Sequence, residues 1–112
     1  MEQNNFGKTT IAPEVLISIA RLATLSVEGV CRLSPAPREV DSLFKKGISE
    51  GIDILVENNA VFVDIYVVLD HDVVVRDVAK DIQTQVSRSI SEMVGLEIGH
   101  INIHVEDIDH CR

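Results

Sequence analysis

The residues with the most chemical potential in this chain are its four histidines, two cysteines and a few carboxylates. His100 and His104 fall in a segment of alternating character, Ile101-Asn102-Ile103-His104-Val105, which reads as a strand. Four strand residues separate them by about 13 Å, so one metal ion cannot reach both. His110 and Cys111 adjoin each other near the end of the chain, and two ligands there make a poor site. No metal or cofactor is expected. Cys31 lies in a short apolar segment, Val30–Leu33, with no histidine near it in sequence. A nucleophilic cysteine needs an activating base and an exposed thiolate, so Cys31 is expected to be buried and structural.

One constellation survives this sorting. Asp64 and Tyr66 alternate with aliphatic residues in one strand segment, and Asn102 and His104 do so in another. If the two strands lie close, Asp64, Tyr66 and His104 meet on one sheet face, where a His–carboxylate pair is able to do acid–base work. Nothing else of a hydrolase is legible: there is no phosphate loop, glycine fingerprint or nucleophile elbow. The sequence therefore predicts no enzyme.

The elements that would carry these residues follow from periodicity. Thr9–Ile11 is expected as a short edge strand. Pro13 suits the first position of a helix and Glu14 favours its positive end. Val15, Leu16, Ile19, Ala20, Leu22, Ala23 and Val27 form an apolar arc, with Ile17 and Leu25 outside it. Gly29 is placed to end this helix. Ile52, Ile54 and Val56 alternate with Asp53, Leu55 and Glu57, Asn58-Asn59 makes a tight turn, and Val61, Val63, Ile65, Val67 and Leu69 continue the alternation. This predicts a hairpin whose aliphatic face meets the helices. A second helix is predicted over Val75–Val94 from Val75, Val78, Ala79, Ile82, Val86, Ile90 and Met93, with Asp72 as a plausible cap and Gly95 as its stop. The last strand covers Ile101–Val105 or more.

These elements predict one α+β domain over residues 1–112. It is a two-layer sandwich with two amphipathic helices on one face of a mainly antiparallel sheet, and a ferredoxin-like order is one topology that fits. Residues 1–7 read as a disordered lead-in and 107–112 as a fraying tail. Residues 34–51 read as a long loop, either with a short helix at Val40–Lys46 or mobile. The opposite sheet face then carries Leu55, Phe62, Tyr66 and Val68 among Asp53, Asp64, Asn102 and His104. Leu55, Phe62, Asp64, Tyr66, Val68, Asn102 and His104 are the candidate protein-contact residues. The competing expectation is that the 34–51 loop covers them.

The formal net charge of −8 opposes nucleic-acid binding, and an aromatic content of 4% leaves little to stack bases on. The polar start carries no secretory pattern and no apolar run would span a bilayer. A reducing intracellular setting with two free thiols is the expectation.

The ordered segments Ile11-Ala12-Pro13-Glu14-Val15, Glu28-Gly29-Val30, Gly51-Ile52-Asp53-Ile54, Val61-Phe62-Val63-Asp64-Ile65, Val78-Ala79-Lys80-Asp81-Ile82-Gln83, Gly95-Leu96-Glu97 and Ile101-Asn102-Ile103-His104-Val105 together resemble the alkaline shock protein family, also called the envelope stress response family. His71-Asp72 stands where that family often has a Tyr-Gly pair. The resemblance implies a bacterial cytoplasmic protein tied to envelope or general stress, acting as an interaction or scaffold module. It also implies self-association, or docking to a small integral membrane anchor that holds the protein at the inner face of the membrane. It implies no catalytic residues. A small-molecule-binding regulatory domain is the alternative, since α+β sandwiches also bind ligands.

Overall fold

In the computed structural model, residues 6–35, 48–49 and 51–111 are described. Helix α1 spans Pro13–Leu25, with Pro13 at its first position and Glu14 in its first turn. It ends at Leu25, where the Ser26 hydroxyl donates to the Ala23 carbonyl at 2.7 Å. Gly29, at φ +102°, then turns the chain into strand β1, Val30–Leu33. A Cβ there would sit 3.0 Å from Val73 and 3.1 Å from Val78.

The buried side of α1 is Leu16, Ile17, Ile19, Ala20, Ala23 and Thr24, whereas Val15 is 46% exposed and Leu22 69%. At 100° per residue this face is turned by about 60° from the apolar arc read in the sequence. The turn brings Ile17 into the core, and with it Thr24. Its hydroxyl donates to the Ala20 carbonyl at 2.7 Å, so a polar residue takes a core position with its hydrogen bond made.

Strands β2 (Ile48–Ser49), β3 (Ile52–Glu57) and β4 (Ala60–Asp70) form a meander. The β3–β4 turn is Asn58-Asn59, with φ of 52° and 70°, as its sequence requires. Residues 48–49, expected within a loop, pair with β3; the proposed Val40–Lys46 helix lies outside the described residues. Helix α2 runs over Val75–Val94 and stops at Gly95, φ 80°, and its N-cap is Val74 rather than Asp72. Strand β5 then covers Glu97–Asp109, parallel to β4. It extends well past Val105, into the part of the tail expected to fray. Backbone pairing to β4 continues to Asp109, opposite Asp70.

β4 is the spine of this sheet. One edge pairs antiparallel with β3 over residues 60–65 and with β1 beyond them, and the other pairs with β5. Three of the four pairings are antiparallel. The expected leading strand is absent, because residues 7–12 form no ladder. Both helices lie on one face, α1 against β1 and β3 and α2 against β5. Ile52, Ile54, Val61, Val63, Ile65, Val67 and Leu69 meet Leu16, Ala20, Ile82, Val86 and Ile90 in one buried cluster. Val56, Val75 and Met93 sit at element ends beyond this overlap and are exposed, contrary to their apolar periodicity. The Gln83 amide donates to the Ile101 carbonyl at 2.9 Å and ties α2 to β5.

Candidate functional site

Because β4 alternates, every residue between its buried aliphatics points away from the helices. Pairing registers then assemble rows across the outer face. Leu55, Phe62 and His100 align in one row, and Asp53, Asp64 and Asn102 in the next; Tyr66 and His104 are paired beyond. The parallel β4–β5 register, shifted by one residue at a bulge at Gly99, brings the predicted constellation together. The His104 Nε2 lies 2.9 Å from Asp64 Oδ1, and the Asn102 amide donates to the same oxygen at 3.1 Å. The Tyr66 and His104 rings stack at 4.4 Å, and Phe62 meets the His100 ring at 5.0 Å, edge to face.

Burial pushes the Asp64 carboxyl up, but the hydrogen bonds from His104 and Asn102 and the charges of His104 and His100 outweigh it, holding it below the ordinary carboxylate range. Asp64 is therefore an ionised acceptor at neutral pH. It fixes His104 in place, and Tyr66 covers one face of the imidazole.

This face is uncovered by the helices. Leu55 is 56% exposed, and Phe62, Asp64 and Tyr66 are half-buried. Phe62 lies over Gly99, the extra residue of a bulge in β5, where a Cβ would come within 2.2 Å of the ring. Gly99 thus seats the aromatic, and its role is not visible in sequence periodicity. Val68 is on the same face but only 4% exposed, flanked by Arg32 and Asp107, so it offers no contact area.

Beyond Val68 the face closes over the end of β4. A bulge in β1 leaves Cys31 as its extra residue, and Cys31 is joined to Cys111 in a disulfide, with Cα atoms 5.6 Å apart. The expected free thiols are therefore paired, since β5 carries the end of the chain back to β1. Arg32 bonds Asp109 at 3.1 Å beside the bridge. Asp70, 4% exposed, accepts from the Cys111 backbone N–H at 3.3 Å and lies 3.3 Å from His71 Nδ1. The His71 and His110 rings stack at 3.8 Å.

Residues 1–110 match the alkaline shock protein family, described as having a cell envelope-related function. The chain belongs to this family. Two relatives from Bacillus subtilis (strain 168) are similar to it, both uncharacterized proteins. YqhY is 30% identical over 109 residues, covering 96% of this chain and 81% of YqhY. YloU is 23% identical over 110 residues, covering 95% and 92%. The uncharacterized protein Spy1614 of Streptococcus pyogenes serotype M6 is 22% identical over 106 residues, covering 91% and 88%. Among solved structures, two variants of the MamM CTD share the fold. One has a TM-score of 0.52 at 14% identity, covering 86% of this chain and 98% of its own. The other has a TM-score of 0.53 at 14% identity, covering 86% and 96%. This family member is thus a ferredoxin-like α+β sandwich, with no leading strand among the described residues. Among the described residues, no helix is long and apolar enough to cross a membrane.

Proposed function

We propose that this member of the alkaline shock protein family is a non-enzymatic interaction module that docks another polypeptide on its outer sheet face. The partner is a second copy or a small membrane-anchored protein, which would hold the chain at the inner face of the cell envelope from the cytoplasm. The observation that carries this reading is the outer face itself. Its exposed Leu55 and half-buried Phe62 and Tyr66 flank the hydrogen-bonded Asp64, Asn102 and His104, a mixture of aromatic and polar groups that suits a protein contact. The Asp64–His104 pair is read as an orienting contact within that surface: Nε2 is engaged by Asp64 and the ring by Tyr66.

Tyr66→Asp removes an aromatic ring from this face and adds a second carboxylate beside Asp64, without touching the aliphatic core. It is expected to abolish association in sedimentation velocity or in capture from a membrane-containing lysate, with the far-UV spectrum unchanged. Unaltered association in both would sink the assignment. A cleft of about 350 Å³ between Ser26–Glu28 and Asp81–Gln85 supports the alternative of a small-ligand site. Its lining is polar or charged except for Val27, whereas ligand sites are mostly apolar, which favours docking.

A further inference from the structure

We propose that Cys31, Cys111 and Asp70 form a binding site for a thiophilic divalent cation of the zinc type once the Cys31–Cys111 disulfide is reduced. The site lies at the end of β4, away from the aromatic residues of the outer face. Three independent pieces of the fold converge on it: the bulge residue of β1, the last residue of β4 and the segment beyond β5. The two sulfurs and an Asp70 carboxylate oxygen all lie within 4.8 Å of one another.

The spacing suits tetrahedral coordination. Bonds of about 2.3 Å to sulfur and 2.0–2.2 Å to oxygen put neighbouring ligand atoms about 3.4–3.8 Å apart. The Cys111 Sγ to Asp70 Oδ1 distance is already 3.8 Å. Two thiolates on one metal need a similar separation, so the cation competes with the disulfide and binds only the reduced protein. Asp70 is buried, and its Oδ1, which accepts from the Cys111 N–H and lies 3.3 Å from His71 Nδ1, is held in place facing Cys111. Cys111 is exposed, which leaves a path for the ion to enter.

The chemistry balances with a dithiol as reductant. The dithiol gives two electrons and two protons to the Cys31–Cys111 bond and becomes a disulfide, leaving two cysteine thiols. Binding of the divalent cation then releases those two protons to solvent. Two thiolates and a carboxylate around a dication leave the site with one net negative charge.

The test is anaerobic titration of untagged, dithiol-reduced full-length protein with Co²⁺, followed by displacement with Zn²⁺. The expected result is one Co²⁺ per chain, with thiolate-to-cobalt charge-transfer absorption and the intense visible bands of a tetrahedral ion, both bleached by Zn²⁺. Asp70→Asn should weaken binding at least tenfold and alter the visible bands, and Cys111→Ser should remove most of the charge-transfer intensity. Oxidised wild type, whose fold is intact, should give neither signal and serves as the control if a cysteine variant fails to fold. Absence of charge-transfer absorption in the reduced protein would overturn the proposal. So would one Co²⁺ per two chains with four thiolates, or a Cys111→Ser variant that binds as wild type does.

Discussion

Breaking the Cys31–Cys111 bridge removes a covalent closure across 80 residues of chain separation. In the chain-entropy account, opening a loop of that length returns about 4.5 kcal/mol of conformational freedom to the unfolded state at 25 °C. Measured losses fall more often at about 2–4 kcal/mol, so Cys111→Ser is expected to cost between about 2 and 4.5 kcal/mol. That is a large part of the roughly 5–15 kcal/mol expected of such a domain. The assay is urea unfolding of oxidised wild type, reduced wild type and Cys111→Ser, all with chelator present. At a slope of about 1.5 kcal/mol/M, the midpoint should fall by about 1.3–3 M. Reduced wild type and Cys111→Ser should coincide, because both act on the unfolded chain rather than on the buried cluster. Their slopes should exceed that of the oxidised protein, since an unlinked chain exposes more surface. A midpoint indifferent to reductant would refute the reasoning and with it the pairing of the two sulfurs.

Three further outcomes follow from the fold. Ile82 is fully buried, so Ile82→Ala should cost about 2–5 kcal/mol, whereas Leu22→Ala on the exposed side of α1 should stay within about 0.5 kcal/mol; equal losses in thermal unfolding would restore the unrotated helix face. Gly99→Ala drives a methyl into the Phe62 ring and should destabilise by about 1–3 kcal/mol while shifting the Phe62 ring resonances; an unshifted spectrum would remove Gly99 as its seat. Because folding holds the Asp64 carboxyl below its ordinary range, its contribution is present above the unfolded value and is lost as pH falls through the lower folded value. The stability gap between wild type and Asp64→Asn should therefore shrink as pH falls below about 4, and a gap that widens there would contradict the Asp64–His104 assignment.

What could be read from the sequence was what local pattern determines. The Asn58-Asn59 turn, the aliphatic alternation of β4 and the stop at Gly95 are each set by one segment's own residues. The Asp64–Tyr66–His104 group was legible for the same reason: two alternating strands leave only the register to be settled, and the pairing beyond the Gly99 bulge settles it. Features that depend on distant partners were not legible. Which side of α1 is buried depends on β1 and β3 beneath it, so the burial of Ile17 and Thr24 was not visible in the helix's own pattern. Cys31 and Cys111 meet only because a bulge and a strand extending to Asp109 bring them together. Thr9–Ile11 has strand-like residues but pairs with nothing, since β-propensity acts through neighbours.

The central claim is that the outer sheet face, and not the helix layer, is the contact surface. Capture from a membrane-containing lysate should be compared for wild type, Tyr66→Asp and Leu22→Asp, each shown to be folded. The account predicts that Leu22→Asp retains the same partner as wild type and Tyr66→Asp loses it. Loss with Leu22→Asp and retention with Tyr66→Asp would contradict it.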